Sequence, residues 1–443
     1  MRMRRLLAVP AVGVLLLASC GDDDDDEAEP ADTGEEAEDG GGGENTGTVN
    51  VLNAMEPEEG EIVQGVMDEL VTSETDYEVE IEASGNFEED FQIRAEGGTL
   101  DIALLPQPGA VADAVPQGAV SLEDMGFDIA ELEDTFGGEY LMSLGEVDGE
   151  HYGLPSNINL KSMIWYPKDD FDAAGYEVPE TWDDLIALSD QIVEDGGTPW
   201  CVGFESGGAT GWPATDWVED IMLRTAGTDV YDQWVAHEIP FNDEAVQNAA
   251  ETFGEVMFAD GYVLGGADQT PAIAFGDAPG PMFQDPPGCW LHRQATFINA
   301  FFPPEAEAGV DYDWFPFPPI DQEGTLLAGE FMVTFRDAPE VRDFIERFTA
   351  QEVQCAQGGD VGSSRVSARA DVGPDCYANE ILADASEVLL DALENDTGRF
   401  DASDQMPPAV GSGSFWSEMM TYMQQGPDSL TTVLDEIEST WPQ

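Results

Sequence analysis

The sequence predicts an α/β protein whose globular body divides into two domains. Three observations carry that expectation. Past residue 46 the hydrophobic periodicity alternates between two and 3.6 residues. Its first three strand patterns and two helix patterns follow one another as βαβαβ. The body, about 400 residues long, exceeds what one hydrophobic core usually supports.

Taken in order, Thr48 to Asn53 is a short strand, and Glu58 to Thr72 sets Ile62, Val63, Val66, Met67, Leu70 and Val71 on one helical face. Tyr77-Glu-Val79-Glu-Ile81 alternates as a strand does, Phe87 to Glu96 is a helix closed by Gly97-Gly98, and Leu100 to Leu105 is a buried strand. This is the opening of an open parallel sheet with helices on its faces. Three loops leave the carboxyl ends of these strands: Asn53 to Glu56, Ser84 to Phe87, and Pro106 to Gly109. Ligands of open α/β sheets lie outside that edge. Glu56, Asn86, Phe87 and Gln107 therefore become candidate contacts for a polar, uncharged ligand, although turn chemistry alone accounts for any single loop. Further on, Thr181-Trp-Asp-Asp184 is a capping box opening a helix through Ile192-Val193 that stops at Gly196-Gly197. Asn242-Asp243 starts another helix, running to about Phe258 and ending at Gly261. Val341, Phe344, Ile345 and Phe348 mark a third, and Ser386 to Leu393 a fourth. No internal repeat is visible.

The first residues read as an export signal. Arg2, Arg4 and Arg5 are followed by an apolar stretch, Leu6 to Ala18, too short to span a bilayer. Leu17-Ala18-Ser19-Cys20 resembles the lipobox of bacterial lipoproteins, which implies removal of residues 1–19 and lipid attachment at Cys20. Gly21 to Thr46 then holds thirteen acids and no basic residue. Such a segment cannot bury enough apolar surface to fold, and like charges extend it. Residues 20–47 are expected to tether a body to the outer face of the cell membrane, by the lipid alone.

The whole chain carries 93 Asp plus Glu against 14 Lys plus Arg, a formal charge of −79. That balance excludes unaided binding of nucleic acid or anionic lipid, and it suits life at high salt. Besides Cys20 there are Cys201, Cys289, Cys355 and Cys376, an even number without metal-site spacing, on the oxidising side of the membrane. Three pairings are possible; Cys201 with Cys289 and Cys355 with Cys376 is favoured, against four free buried thiols. No cofactor or metal is expected.

Four stretches carry a family resemblance. They are DGEHYGLPSNINLKSMIWYPK (residues 148–168), GGTPWCVGFESGGATGWPATDWVEDIMLR (196–224), PPGCWLHRQATFI (286–298) and LLAGEFMVTF (326–335). The first resembles the crossing between lobes in the maltose-binding-like extracellular solute-binding proteins that feed ABC importers. The others resemble the alpha-glucoside-binding branch of that family. The resemblance implies two discontinuous α/β lobes joined by a hinge, of the periplasmic-binding-protein type. Crossings are expected near residues 156–160, 313–318 and 358–364. The N-terminal lobe would then be 48–157 plus 319–358 and the C-terminal lobe 158–318 plus 359–443. It also implies a neutral sugar of the alpha-glucoside class as ligand, importer permease subunits as partners, and a monomer.

Sugar hydroxyls call for planar donors and acceptors, and sugar C–H faces call for aromatic rings. Trp212, Asp216 and Trp217 offer both on one Gly-rich stretch. Trp290 is a further stacking candidate, although a disulfide at Cys289 would instead fix it as core; Trp165, Trp200 and Trp314 are others, and Trp416 a weaker one. Trp182, in a helix's first turn, is expected to pack. Asn157 and Asn159 stand at the first expected crossing. Lys161, one of only two lysines, lies in an apolar strand, where it either meets ligand hydroxyls or pairs across the hinge. The resemblance adds Glu330, and Arg365 either grips hydroxyls or pairs with a carboxylate. The main rival is a secreted glycoside hydrolase, but no stretch singles out its two carboxylates, and no Gly-x-Ser-x-Gly or His-Glu-x-x-His appears. A nearer rival is the same fold binding a polyol, a polyol phosphate or another compatible solute; a phosphate would call for clustered Arg or Lys that the three loops lack.

Overall fold

A computed structural model describes residues 47–442. The expected signal peptide, the lipid-bearing Cys20 and nearly all of the acidic tether lie outside those residues. No helix among the described residues is long and apolar enough to cross a membrane.

The βαβαβ opening forms as expected. β1 (Gly47–Asn53), β2 (Tyr77–Ala83) and β3 (Ile102–Leu105) run parallel, with β1 between the other two. Between them lie the helices Pro57–Leu70 and Phe87–Gly97. The second ends at Gly98, whose left-handed conformation (φ 62°) closes the helix as the Gly-Gly pair implies. Strand alternation sends Val49, Val51, Ile102 and Leu104 to one face and Leu52, Ala103 and Leu105 to the other, so both faces of the sheet are core.

A small hairpin follows, β4 (Glu146–Val147) with β5 (Glu150–His151), and then β6 (Gly153–Leu160). The sheet is mixed rather than purely parallel. β10 (Thr325–Thr334) lies antiparallel to both β3 and β6, and its start pairs parallel with β11 (Gly398–Phe400). A separate three-stranded sheet consists of β7 (Met163–Tyr166) flanked by β8 (His292–Arg293) and β9 (Asp313–Pro316). Around it pack the helices Trp182–Glu194, Trp212–Ala226, Glu244–Met257, Trp416–Gln425 and Leu430–Ser439. Thr181 caps the first of them by accepting a hydrogen bond from the Asp184 amide at 3.2 Å.

The chain thus passes from the large sheet to the small one after β6, at Lys161-Ser162, and returns between β9 and β10. The last passage differs from the expectation. Residues 359–400 were expected in the second lobe, but Ile158 bridges to Val366, the helix Glu380–Glu394 packs on the large sheet, and β11 joins it. The apolar face of that helix, with Ile381, Leu382, Ala385 and Leu389, is buried there. The chain leaves only at Asp401, toward the short helix Ala402–Gln405, which packs in the other core. The cysteines pair as favoured, Cys201 with Cys289 and Cys355 with Cys376, with Cα–Cα distances of 5.4 and 4.9 Å.

Candidate ligand-binding site

The three loops at the carboxyl edge of β1, β2 and β3 open onto a cavity of about 390 Å³, within the range of small-molecule sites. Ten of the thirteen expected contacts line it: Glu56, Asn86, Phe87, Gln107, Asn157, Asn159, Lys161, Trp212, Glu330 and Arg365. The carboxamides of Asn86 and Gln107 make no hydrogen bond among the described residues, so their donors and acceptors are unspent. Asn157 and Asn159 project from β6, where Thr296 donates to the Asn159 Oδ1 at 3.2 Å. Beside them Arg365 donates from Nη1 to Glu330 at 3.0 Å and from Nε to Gln357 at 3.1 Å. Its Nη2 has no partner among the described residues. Burial raises the pKa of Glu330, and Arg365 opposes that rise.

The opposite wall is aromatic. Trp212 begins the helix Trp212–Ala226, immediately after Gly211 at φ 118°. A Cβ on Gly211 would run into the Trp416 carbonyl, so only glycine lets the turn come this close. Phe275 and Phe297 meet the Trp212 indole edge-on, with centroids 5.1 and 5.8 Å away. Phe301 and Trp416 complete the wall. Sequence reasoning missed the three phenylalanines and ranked Trp416 low. Phe297 lies within the stretch 286–298 that carries the family resemblance, but none of the four has a local pattern marking it as a contact, and only the tertiary fold gathers them.

Three expected contacts do not reach the cavity. Trp217 is buried in the core, edge-on to Trp200 at 5.0 Å and to Phe317 at 5.7 Å. Five residues on a helix turn the side chain by about 140° from Trp212, into the opposite face. Trp290 is half-buried against Tyr176 (centroids 5.0 Å apart), next to the Cys201–Cys289 disulfide, and does not line the cavity. Asp216, about 40° from Trp212 and one turn deeper, lies wholly buried beneath the cavity floor.

There Asp216 belongs to an ion cluster that fastens all three passages between the sheets. Lys161, at the first passage, donates to Asp216 and contacts Asp401, at the last, each at 2.8 Å; its Nζ also stands 4.7 Å from the centroid of the Trp212 ring. Arg293 donates to Asp216 at 3.1 Å and to Asp220 at 3.0 Å. Asp220 also pairs with Arg224 and accepts from Ser162 Oγ at 2.8 Å. Arg224 reaches the Phe317 carbonyl, beside the middle passage, at 3.1 Å. Glu219 accepts from the amides of Ala402 and Ser403 at 3.2 and 3.1 Å.

Burial alone would lower the pKa of Lys161; Asp216, Asp401 and Asp404 outweigh it and hold the ammonium charged. Burial pushes Asp216 up to about 7 against the pull of Lys161, and it raises Glu219, with Asp401 adding to the rise. Asp401, opposed by its own burial, is held below the usual range by Lys161. Carboxylate oxygens of Asp216, Glu219 and Asp401 lie within 4.8 Å of one another, but the Lys161 ammonium already supplies a cation there. His292 is buried, and that burial drops its pKa to about 4, leaving it neutral with Nδ1 on the Cys201 carbonyl at 2.8 Å. The site can therefore grip a polar, uncharged molecule between amides and rings.

The chain is similar to known proteins. The model of the bacterial extracellular solute-binding proteins matches residues 56–354. The osmoprotective compounds-binding protein GgtB of Synechocystis is 39% identical over 90% of this chain and 93% of its own length. The alpha-glucosides-binding periplasmic protein AglE of Rhizobium meliloti is 39% identical over 83% of this chain and 81% of its own. Among solved structures, the bacterial solute receptor AcbH superposes with a TM-score of 0.75 at 18% identity, over 89% of this chain and 98% of the receptor. Maltose-bound MalE3 of T. maritima does so with 0.67 at 14% identity, over 89% and 100%. The two sheets, the three passages and these relatives lead to one conclusion: the chain belongs to the bacterial extracellular solute-binding proteins of ABC transporters, and it binds a solute outside the cytoplasm rather than transforming one.

Proposed function

We propose that the protein captures a neutral alpha-glucoside or related oligosaccharide in this cleft and delivers it to the permease subunits of an importer. One observation carries the reading: an amide-bearing wall faces an aromatic wall across one cavity, matching a sugar ring's hydroxyl rim and C–H face. AglE, named for alpha-glucosides, supports the ligand class. GgtB, named for osmoprotective compounds, supports a second reading in which an uncharged compatible solute occupies the same site. Both cationic side chains on the cavity wall, Lys161 and Arg365, are already paired with carboxylates, which argues against a phosphorylated ligand.

In this reading Glu56, Asn86, Phe87, Gln107, Asn157, Asn159, Trp212, Glu330 and Arg365 contact the ligand, while Lys161 orients Trp212. The lobes are residues 47–160 with 325–400, and 163–316 with 402–442. They close on the sugar about the passages at 161–162, 317–324 and 401. The protein works as a monomer held to the membrane by lipid on Cys20. Calorimetric titration with sucrose, maltose, trehalose and glucosylglycerol is expected to show binding at micromolar concentration or tighter; binding confined to charged solutes would refute the ligand class. Overnight incubation with the same compounds is expected to leave them uncleaved.

A further inference from the structure

Asp404 lines the same cavity, on the short helix Ala402–Gln405 that follows the last passage between the sheets. Its residue surface is 8% exposed, and its carboxyl group accepts no hydrogen bond and forms no ion pair among the described residues. The obvious partner is taken. The three donors of Lys161 are accounted for by Asp216 and Asp401, each at 2.8 Å, and by the face of Trp212. Counting the buried groups at the cavity wall and beneath it, the acids Asp216, Glu219, Asp220, Asp401 and Asp404 stand against Lys161, Arg224 and Arg293. Five acids and three bases cannot all be charged cheaply where water is scarce, and the acid without a partner keeps its proton most readily.

We propose that Asp404 is a specificity-determining residue of the cleft, meeting the ligand as an undissociated carboxylic acid whose O–H donates a hydrogen bond to a ligand oxygen. This deepens the neutral-sugar reading and rests on it. The ring and glycosidic oxygens of a glycoside can only accept, and the free carboxamides are otherwise the main donors in the amide-bearing wall. An uncharged Asp404 also removes the attraction for amines that an ionised acid would exert.

The surroundings support the neutral form. Burial raises the pKa of Asp404 well above the usual range, Asp401, Asp216 and Glu88 raise it further, and Lys161 opposes them. Glu219 and Arg293 stand behind Asp216. From neighbouring elements, the Tyr231 hydroxyl donates to the Phe400 carbonyl, and Arg399 is held by Asp232 and Asp396. None of these supplies Asp404 with a counter-ion.

The test uses the full mature chain with sucrose, maltose and trehalose as probes. Wild-type affinity for whichever of these binds is expected to be flat at low pH and to fall as Asp404 ionises, levelling off about five- to tenfold lower, where the hydrogen bond is lost. Asp404→Asn should bind within about twofold of wild type and lose that pH dependence, because an amide also donates. Asp404→Ala should bind about five- to tenfold more weakly, the loss of one hydrogen bond. Affinity that rises with pH, or an Asn variant as weak as the Ala variant, would overturn the proposal. A second readout needs no sugar: the infrared C=O band of neutral carboxylic acids at pH 7 should lose intensity in Asp404→Asn, and an unchanged band overturns the proposal. If none of the three sugars binds, the ligand reading fails while the infrared result still decides the state of Asp404. If Asp404→Asn does not fold, the sign of the wild-type pH profile decides alone.

Discussion

The two walls of the cleft are made of opposite materials. The wall on the large-sheet side is mainly polar, with Asn157 and Asn159 on β6 and two carboxamides on turns, Gln107 half-buried and Asn86 exposed. Each can offer a proposed sugar ligand one neutral hydrogen bond. The wall on the small-sheet side is aromatic, with Trp212 wedged between Phe275 and Phe297 and backed by a buried ammonium. Rings packed this way lose little freedom when a ligand arrives, so their apolar area converts to affinity with little ordering cost. For the proposed sugar ligand the contrast implies a division of labour: the aromatic wall and its ionic backing would supply strength, and the turns would supply discrimination.

The largest effect is expected where that backing is removed. Lys161→Met leaves Asp216 and Asp401 buried without their shared cation, which should lower unfolding stability by about 3–5 kcal/mol. Urea titration of the unliganded protein measures it. A loss below about 1 kcal/mol would show that the cluster redistributes protons freely and does not brace the passages.

Next comes the ring itself. Trp212→Ala should weaken sugar binding by about 1–3 kcal/mol while the urea midpoint moves much less than in Lys161→Met. Trp217→Ala should show the reverse, costing about 3–5 kcal/mol of stability through its core cavity. Should both variants lose affinity equally at equal stability, the wall would not be local, and the contrast between the two indoles would fail.

The same cluster sets a pH trend. Asp216, Glu219 and Asp404 are raised in the folded state, so the native protein binds more protons than the unfolded chain above the ordinary carboxylate range. Their contribution is fully present below the unfolded pKa, near 4, and is lost as pH rises through the folded values, about 7 for Asp216. Asp401, depressed in the fold, acts in the opposite sense at lower pH. Stability is therefore expected to fall between about pH 4 and pH 7 by up to about 1.4 kcal/mol per unit for each proton released. Melts across that range measure the slope, and a rising curve would assign the cluster's protons wrongly.

How much of this was legible beforehand follows from the same contrast. The polar wall could be read because it grows from local pattern: three strands of period two end in three turns, and the turns lie at one edge by topology alone. The aromatic wall could be read at Trp212, where a Gly-rich stretch marks it, and only weakly at Trp416. Phe275, Phe297, Phe301 and Trp416 arrive from three remote segments, and periodicity carries no information about such meetings. Asp404 was hidden differently, as one carboxylate among 93 acids. Trp217 misled because proximity in sequence is not proximity on a helix: five steps carry it to the far side. The last passage was placed too early because the pattern of the helix Glu380–Glu394 shows that it buries one face without saying which sheet receives it.

The smallest expected effect tests discrimination. Gln107 caps the loop after β3 with its carboxamide unbonded within the described residues, so removing it should leave the fold unchanged. Gln107→Ala is expected to weaken binding of the preferred sugar by about 0.5–1.5 kcal/mol, one neutral hydrogen bond. Its more telling readout is the ratio between sugars. If the turns discriminate, the preferred ligand should lose more than its epimers, because only the preferred hydroxyl was positioned for the amide. Calorimetry on a matched pair of epimeric disaccharides gives that ratio. A uniform loss across both would move discrimination onto the Arg365–Glu330 pair and the ring faces, and the polar wall would then serve mainly to close the cleft.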